Sequence, residues 1–218
     1  MVAATSPVTK TKDRRAARRE AIIEAAAKLF AELGYDSCEM DRVAARLRIA
    51  KGTLYLYFDS KEKLFCECVD DGMRRMQCVV RDAAAAQADP LDKIAVAIRA
   101  YLDFFDGHPH YVELLIQERA IFRDRKRPSY FEHRDANRGP WREMYRELIA
   151  AGRVRDDLPV ERILDTLGGL LYGTMFINHF LGRTASTADQ FQCILQIIMG
   201  GILTDSERAA WQKIPASD

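Results

Sequence analysis

Residues 34–65 read GYDSCEMDRVAARLRIAKGTLYLYFDSKEKLF. Within them, Met40, Val43, Ala44 and Leu47 repeat at i, i+3, i+4 and i+7, the spacing of one helical face. A tight break at Arg48-Ile49 follows, then Lys51 to Phe58, in which Leu54 and Phe58 stand four apart. Ser60-Lys61-Glu62 opens a longer helix. Two helices this short are not stable alone and must be held by neighbours. A short helix, buttressed by the one before it and presenting Lys, Thr and Tyr, is what a DNA-reading helix-turn-helix requires. Its second helix enters the major groove.

The exposed set follows from the packed one. Leu54 and Phe58 are used for packing, so Lys51, Thr53, Tyr55 and Tyr57 are left facing outward. Gly52 lets backbone approach phosphate closely. Thr53 carries a hydroxyl for phosphate and a methyl for thymine. Tyr55 offers a ring edge to a thymine methyl, and Tyr57 a phenol to the backbone. Lys61, in the first turn of the next helix, adds an ammonium beside free backbone N–H groups. Arg42 is a further candidate, with Asp41 beside it as a local neutraliser. The competing reading is a buried corner of a helical enzyme with its tyrosines in the core.

Working outward, Ile22, Ala26, Leu29, Phe30 and Leu33 mark a helix from near Asp13 that Gly34 ends. Downstream, Leu64 to Val80 lie on a long helix that fades in an alanine run. Asp89-Pro90, Gly107-His108-Pro109 and Lys126-Arg127-Pro128-Ser129 break the chain. A long helix is expected from there through Trp141 to Gly152, with Gly139-Pro140 as a kink or its true start. Asp157-Leu158-Pro159 opens an apolar segment to Leu181, and the last helix covers about 188–203. No strand pattern and no fixed-period repeat occurs. The fold class expected is all-α with about nine helices. The expected division is a disordered tail at 1–12, a DNA-binding head at 13–60, a ligand-binding and dimerisation body at 61–205, and a frayed tail at 206–218.

Charge divides the same way. Residues 1–65 hold thirteen Lys and Arg against nine Asp and Glu, and residues 66–218 hold twenty against twenty-three. Lys10, Lys12, Arg14, Arg15, Arg18 and Arg19 crowd the start. A basic head on a mildly acidic body points to nucleic acid, although a solvated charged face gives the same count. No apolar run reaches the ~18 residues of a membrane span, and no secretory signal opens the chain, so a cytoplasmic location is expected. Cys38, Cys66, Cys68, Cys78 and Cys193 are odd in number and fit no zinc spacing, consistent with free thiols.

In the body, Tyr101, Phe105, Trp141, Tyr145, Tyr172, Phe176 and His179 are candidates for lining an apolar effector pocket. Ordinary core packing is the alternative for each. His108 and His110 flank Pro109 with no further metal ligand nearby, and no cofactor motif is present. Gly168, Gly169 and Gly173 allow close helix approach, either in a two-fold four-helix interface or in a monomer's core.

Gly34-Tyr35, Met40-Asp41-Arg42-Val43-Ala44, Ile49 to Phe58 and Ser60-Lys61-Glu62-Lys63-Leu64 together resemble the DNA-binding domain of the TetR family of bacterial transcriptional regulators. The resemblance covers about residues 14–65. It implies a homodimeric, mostly repressing regulator that binds a pseudo-palindromic double-stranded operator and releases it when a small molecule binds the body. A non-sensing DNA-binding protein and a helical enzyme are the alternatives. Where the family often has Ser or Thr, this chain has Cys38 and Glu39. It has Arg48 for Gly and Ala50 for Ser. Lost caps weaken the starts of both short helices by ~0.5–2 kcal/mol each.

Overall fold

Short apolar repeats broken by glycine, proline and capping residues become helices joined by tight turns. The computed structural model describes residues 7–182 and 186–211. Their order is α1 (Pro7–Leu33), α2 (Met40–Arg46), α3 (Lys51–Tyr55), α4 (Lys61–Ala85), α5 (Pro90–Gly107), α6 (Pro109–Ile121), α7 (Ser129–Ala136), α8 (Arg138–Ala150), α9 (Val160–Leu181), α10 (Thr187–Ile202) and α11 (Asp205–Trp211). Among the described residues the only ladder contact is a single bridge, Val154 to Leu203. The chain is all-α.

Eleven helices replace the expected nine for local reasons. The segment expected as one helix from residue 129 to Gly152 is two, because Asn137 leaves helical geometry at φ −103° and ψ 8°. Gly139-Pro140 then sits in the first turn of α8, where proline's missing N–H has no partner to lose. Helix α11 spans Asp205–Trp211, so residues 206–211, expected to fray, are helical. The Thr204 Oγ1 caps it by accepting from Glu207 N, and Asp205 and Glu207 lie in its first turn. Helix α1 starts at Pro7 rather than near Asp13, since proline suits a first turn and no breaker follows. So residues 7–12, expected in the tail, are helical. The remainder of both expected tails, 1–6 and 212–218, lies outside the described residues.

The chain packs as two units. One comprises residues to Arg74 together with Glu113–Tyr130; the other comprises Arg75–Val112 and the chain from Phe131 onward. In the first, α1 packs on α2 and α2 on α3. Ile22, Ala26, Phe30, Val43, Leu54, Phe58, Leu64 and Phe65 are fully or almost fully buried there. In the second, α5 packs on α10 and α9, and α8 packs on α9.

The head-side unit recruits a segment distant in sequence. Rings of Phe30, Tyr35, Phe65 and Phe122 form a cluster with centroids 5.2–6.0 Å apart. Each such pair adds ~0.5–1.5 kcal/mol beyond its buried area. Gln117 Nε2 donates to the Phe30 carbonyl at 2.9 Å. Glu118 is buried, and its carboxylate accepts from Arg125 Nη1 at 2.7 Å, from Ser129 Oγ at 2.8 Å and from Ser129 N. Buried polar oxygens are costly when unsatisfied, and these donors satisfy them.

The turn between α2 and α3 has an uncommon occupant. Ile49 N donates to Ala44 O at 3.0 Å and Arg48 N to Ala45 O at 3.1 Å, the paired bonds of a left-handed helix stop. Glycine usually fills the middle position. Arg48 takes it at φ +54°, the only non-glycine positive φ among the described residues. Neither Glu39 nor Ala50 makes a side-chain cap bond at the starts of α2 and α3. At α4 the cap is made, with Ser60 Oγ accepting from Lys63 N. Ala50 is exposed, with extended backbone (φ −67°, ψ 144°) suited to a capping residue. Ala50→Ser is therefore expected to raise the stability of the protein by ~0.5–2 kcal/mol in denaturant melts.

Candidate nucleic-acid interface

Helix α3, the expected reading helix, is five residues long and owes its position to two side chains. Leu54 and Phe58 are completely buried, and Phe58 N and Tyr57 N both close the last turn onto Leu54 O. With those two turned inward, Lys51, Gly52 and Tyr55 are exposed and Thr53 and Tyr57 half-buried. Tyr55 is 42% exposed. The Arg15 guanidinium lies 5.8 Å from the centroid of the Tyr57 ring, and Arg19 lies over Phe58 at 5.1 Å while pairing with Glu67. These cation–π contacts tie α1 to the turn that follows α3.

Leu56 is the residue sequence reasoning passed over. It is 74% exposed, two positions from each buried anchor. On a helix that spacing is about 200°, so the same arithmetic that buries Leu54 and Phe58 turns Leu56 to solvent. An apolar side chain left in water beside Tyr55 suits a thymine methyl better than it suits a solvated surface.

The lysines are not bare. Lys51 Nζ lies 2.8 Å from Asp41 Oδ2, and this hydrogen bond, followed by the carboxylate's charge, raises the lysine's pKa. Asp41 thus pairs with Lys51, not with its neighbour Arg42, which is exposed. Lys61 Nζ donates to the Asp36 carbonyl at 3.1 Å and to Glu39 Oε1 at 3.3 Å, and sits 4.7 Å over the Tyr35 ring. These three partners fasten the start of α4 to the loop between α1 and α2. Cys38 and Cys68 are buried, and that burial pushes the pKa of both thiols upward.

The other unit holds a cavity of about 100 Å³. Of the seven expected pocket residues, Tyr101, Phe105 and His179 line it, with Leu102, Asp106, Pro109, Val112, Met175 and Asn178. Trp141, Tyr145, Tyr172 and Phe176 do not. Tyr172 packs between Phe131, tilted at 5.2 Å, and Phe176, edge-on at 4.7 Å, and Phe176 stacks in turn on Phe180. Tyr145 is fully buried on α8, where desolvation raises its hydroxyl's pKa and no hydrogen-bond partner among the described residues reaches it. Residue type on the body helices made all seven candidates. It could not say which inward face has space beside it.

No helix of the described residues is long and apolar enough to cross a membrane. No cluster of three or more potential metal-ligating His, Cys, Asp or Glu side chains occurs among them.

Residues 22–68 match the profile of bacterial regulatory proteins of the tetR family. The chain is 27% identical over 187 residues to the HTH-type transcriptional repressor KstR2 of Mycobacterium tuberculosis, covering 85% of this chain and 92% of that protein. The solved structure of the ketosteroid transcriptional regulator KstR2 of M. tuberculosis superposes with TM-score 0.63 at 26% identity, over 86% of this chain and 96% of that one. The regulator FadR from Bacillus subtilis, solved in complex with stearoyl-CoA, shares the fold with TM-score 0.71 at 20% identity, over 83% and 97% of the two chains. With the head's geometry, these likenesses identify residues 22–68 as a domain of the tetR family of bacterial regulatory proteins.

Proposed function

We propose that the protein is a homodimeric repressor that holds a pseudo-palindromic operator through Lys51, Gly52, Thr53, Tyr55 and Tyr57, and leaves it when a small apolar molecule enters the body. The observation that carries this reading is the exposed face of α3, set by the burial of Leu54 and Phe58. Thr53, Tyr55 and Leu56 meet base edges. Lys51 and Tyr57 meet the backbone, joined by Arg42 and Lys61. For Lys61 this means exchanging the Asp36 carbonyl and Glu39 for phosphate.

A single reading helix covers too few base pairs for useful discrimination, so two copies are needed. The second copy has a surface to meet. On α9, Leu170, Ile177, Phe180 and Leu181 are exposed, the last two by 64% and 79%, and Ile197 is exposed on α10. Leu170, Ile177 and Leu181 recur at i, i+7 and i+11, with Gly173 between them giving close approach. An apolar stripe of this kind on each of two copies closes a four-helix contact. Half-sites then lie ~34–36 Å apart, or somewhat more on a widened operator.

The effector site is the cavity between α5, α6 and α9. At about 100 Å³ it is smaller than the ~300–1,000 Å³ of most ligand pockets, so a ligand must enlarge it. Helix α6 lines it with Pro109 and Val112, and the same helix carries Gln117 in the head-side unit. Helix α4 likewise has residues in both units. A ligand releases DNA only to the extent that it prefers the enlarged arrangement. KstR2 of M. tuberculosis is a ketosteroid transcriptional regulator and the B. subtilis FadR was solved in complex with stearoyl-CoA, which supports an apolar, lipid-like effector here.

Selection of bound duplexes from random DNA, followed by a screen for small molecules that release them, tests the reading. Recovery of inverted repeats released by an apolar compound is expected. Asymmetric single sites, or binding no compound affects, contradict the dimer and the sensing parts respectively. On the selected duplex, Tyr55→Ala is expected to lose ~1–3 kcal/mol of discrimination at particular base pairs, while Tyr57→Phe lowers affinity for selected and random DNA alike. Ile177→Glu is expected to shift the dimer to monomer in sedimentation at micromolar concentration and to abolish tight operator binding while leaving the helical circular-dichroism signal intact.

A further inference from the structure

The head distributes its charges unevenly. Each lysine around the reading helix is held by a carboxylate: Lys51 by Asp41, Lys61 by Glu39 and Lys63 by Asp59. Arg42, Arg46 and Arg48 are exposed and make no ion pair among the described residues. Lysines that meet DNA as bare ammonium groups would attract any sequence. Here they arrive already neutralised.

Asp41 is the informative member. It stands in the first turn of α2, the helix that crosses the DNA backbone in a helix-turn-helix. Its carboxylate reaches Lys51, the first residue of α3, and both side chains are largely exposed. If α3 reads the groove, this pair faces the duplex. A phosphate that takes Lys51 must then displace Asp41, which is left uncovered beside a polyanion. A lysine that neutralises a phosphate releases ~0.9 of a counterion. A carboxylate stripped of its lysine at the same spot draws a cation back. The contact becomes an exchange with little net ion release.

We propose that Asp41 is an affinity-setting residue, an internal competitor for Lys51 that holds down sequence-independent attraction to DNA. Base contacts from Thr53, Tyr55 and Leu56 then decide where the protein stays. The consequence matters because a genome offers a vast excess of non-specific sites. The proposal rests on the reading of α3 as the DNA-contacting helix.

The test uses the full-length protein, its selected duplex and a scrambled duplex of equal length, titrated across a salt series. Asp41→Asn keeps the shape and removes the charge. Affinity for both duplexes is expected to rise about three- to tenfold at low salt, and the log–log salt slope to steepen by about one per subunit. Lys51→Ala is expected to leave the slope nearly unchanged in the parent, and to flatten it by about one per subunit in the Asp41→Asn background. Asp41→Ser is the second charge-free variant, and thermal melts establish that each variant is folded. An unchanged slope in both folded variants overturns the proposal. A loss of affinity confined to the selected duplex also overturns it, and makes Asp41 a base reader accepting from a cytosine amino group. If the parent binds neither duplex, the assignment of α3 fails and the proposal falls with it.

Discussion

The structure depends on the burial of two side chains from a helix too short to exist alone. Helix α3 has five residues, less than half the length at which an isolated helix becomes even marginally stable. Leu54 and Phe58 anchor it into a core built by α1, α2 and the start of α4. Everything the helix presents to solvent is a consequence of that anchoring. Weak starts at Glu39 and Ala50 and a strained Arg48 are tolerated because packing, not capping, sets the geometry. A left-handed arginine costs on the order of 1 kcal/mol, small against the burial of two large side chains.

The same unit extends beyond the sequence-contiguous head. Glu113–Tyr130 packs with it through the Phe122 ring, Gln117 and the buried Glu118 network. The Gln117 and Glu118 interactions are polar and geometrically demanding, and they fix the segment more narrowly than ring packing alone does. On the proposed function, this is a useful property. Helix α6 lines the cavity with its first turn and carries Gln117 and Glu118 further along.

Much of this was legible in the residues. Gly34, Asp89-Pro90 and Ser60 each do locally what their types dictate: a left-handed stop at φ +78°, an N-cap accepting from Leu91 N, and a cap on Lys63 N. The i, i+4 spacing of Leu54 and Phe58 gave the inward face of α3. What was not legible depends on distance in space. Nothing in the sequence pairs Asp41 with Lys51 ten positions on, or brings Phe122 to Tyr35. Leu56 was assigned to neither the packed nor the outward set, although it is exposed. In the body, Tyr172 and Phe176 share the inward spacing of Tyr101 and Phe105, yet only the latter pair borders a cavity. Periodicity reports a face, and a cavity is a property of several faces together.

The central claim is that the α2–α3 corner, positioned by Leu54 and Phe58, is the surface that meets DNA. Amide hydrogen exchange of the full-length protein, with and without its selected duplex, tests it most directly. The account predicts that bound DNA slows exchange across residues 39–58 and at the start of α4, with little change in α8. Slowed exchange confined to α5, α9 and α10, with residues 39–58 exchanging as in the free protein, would contradict it.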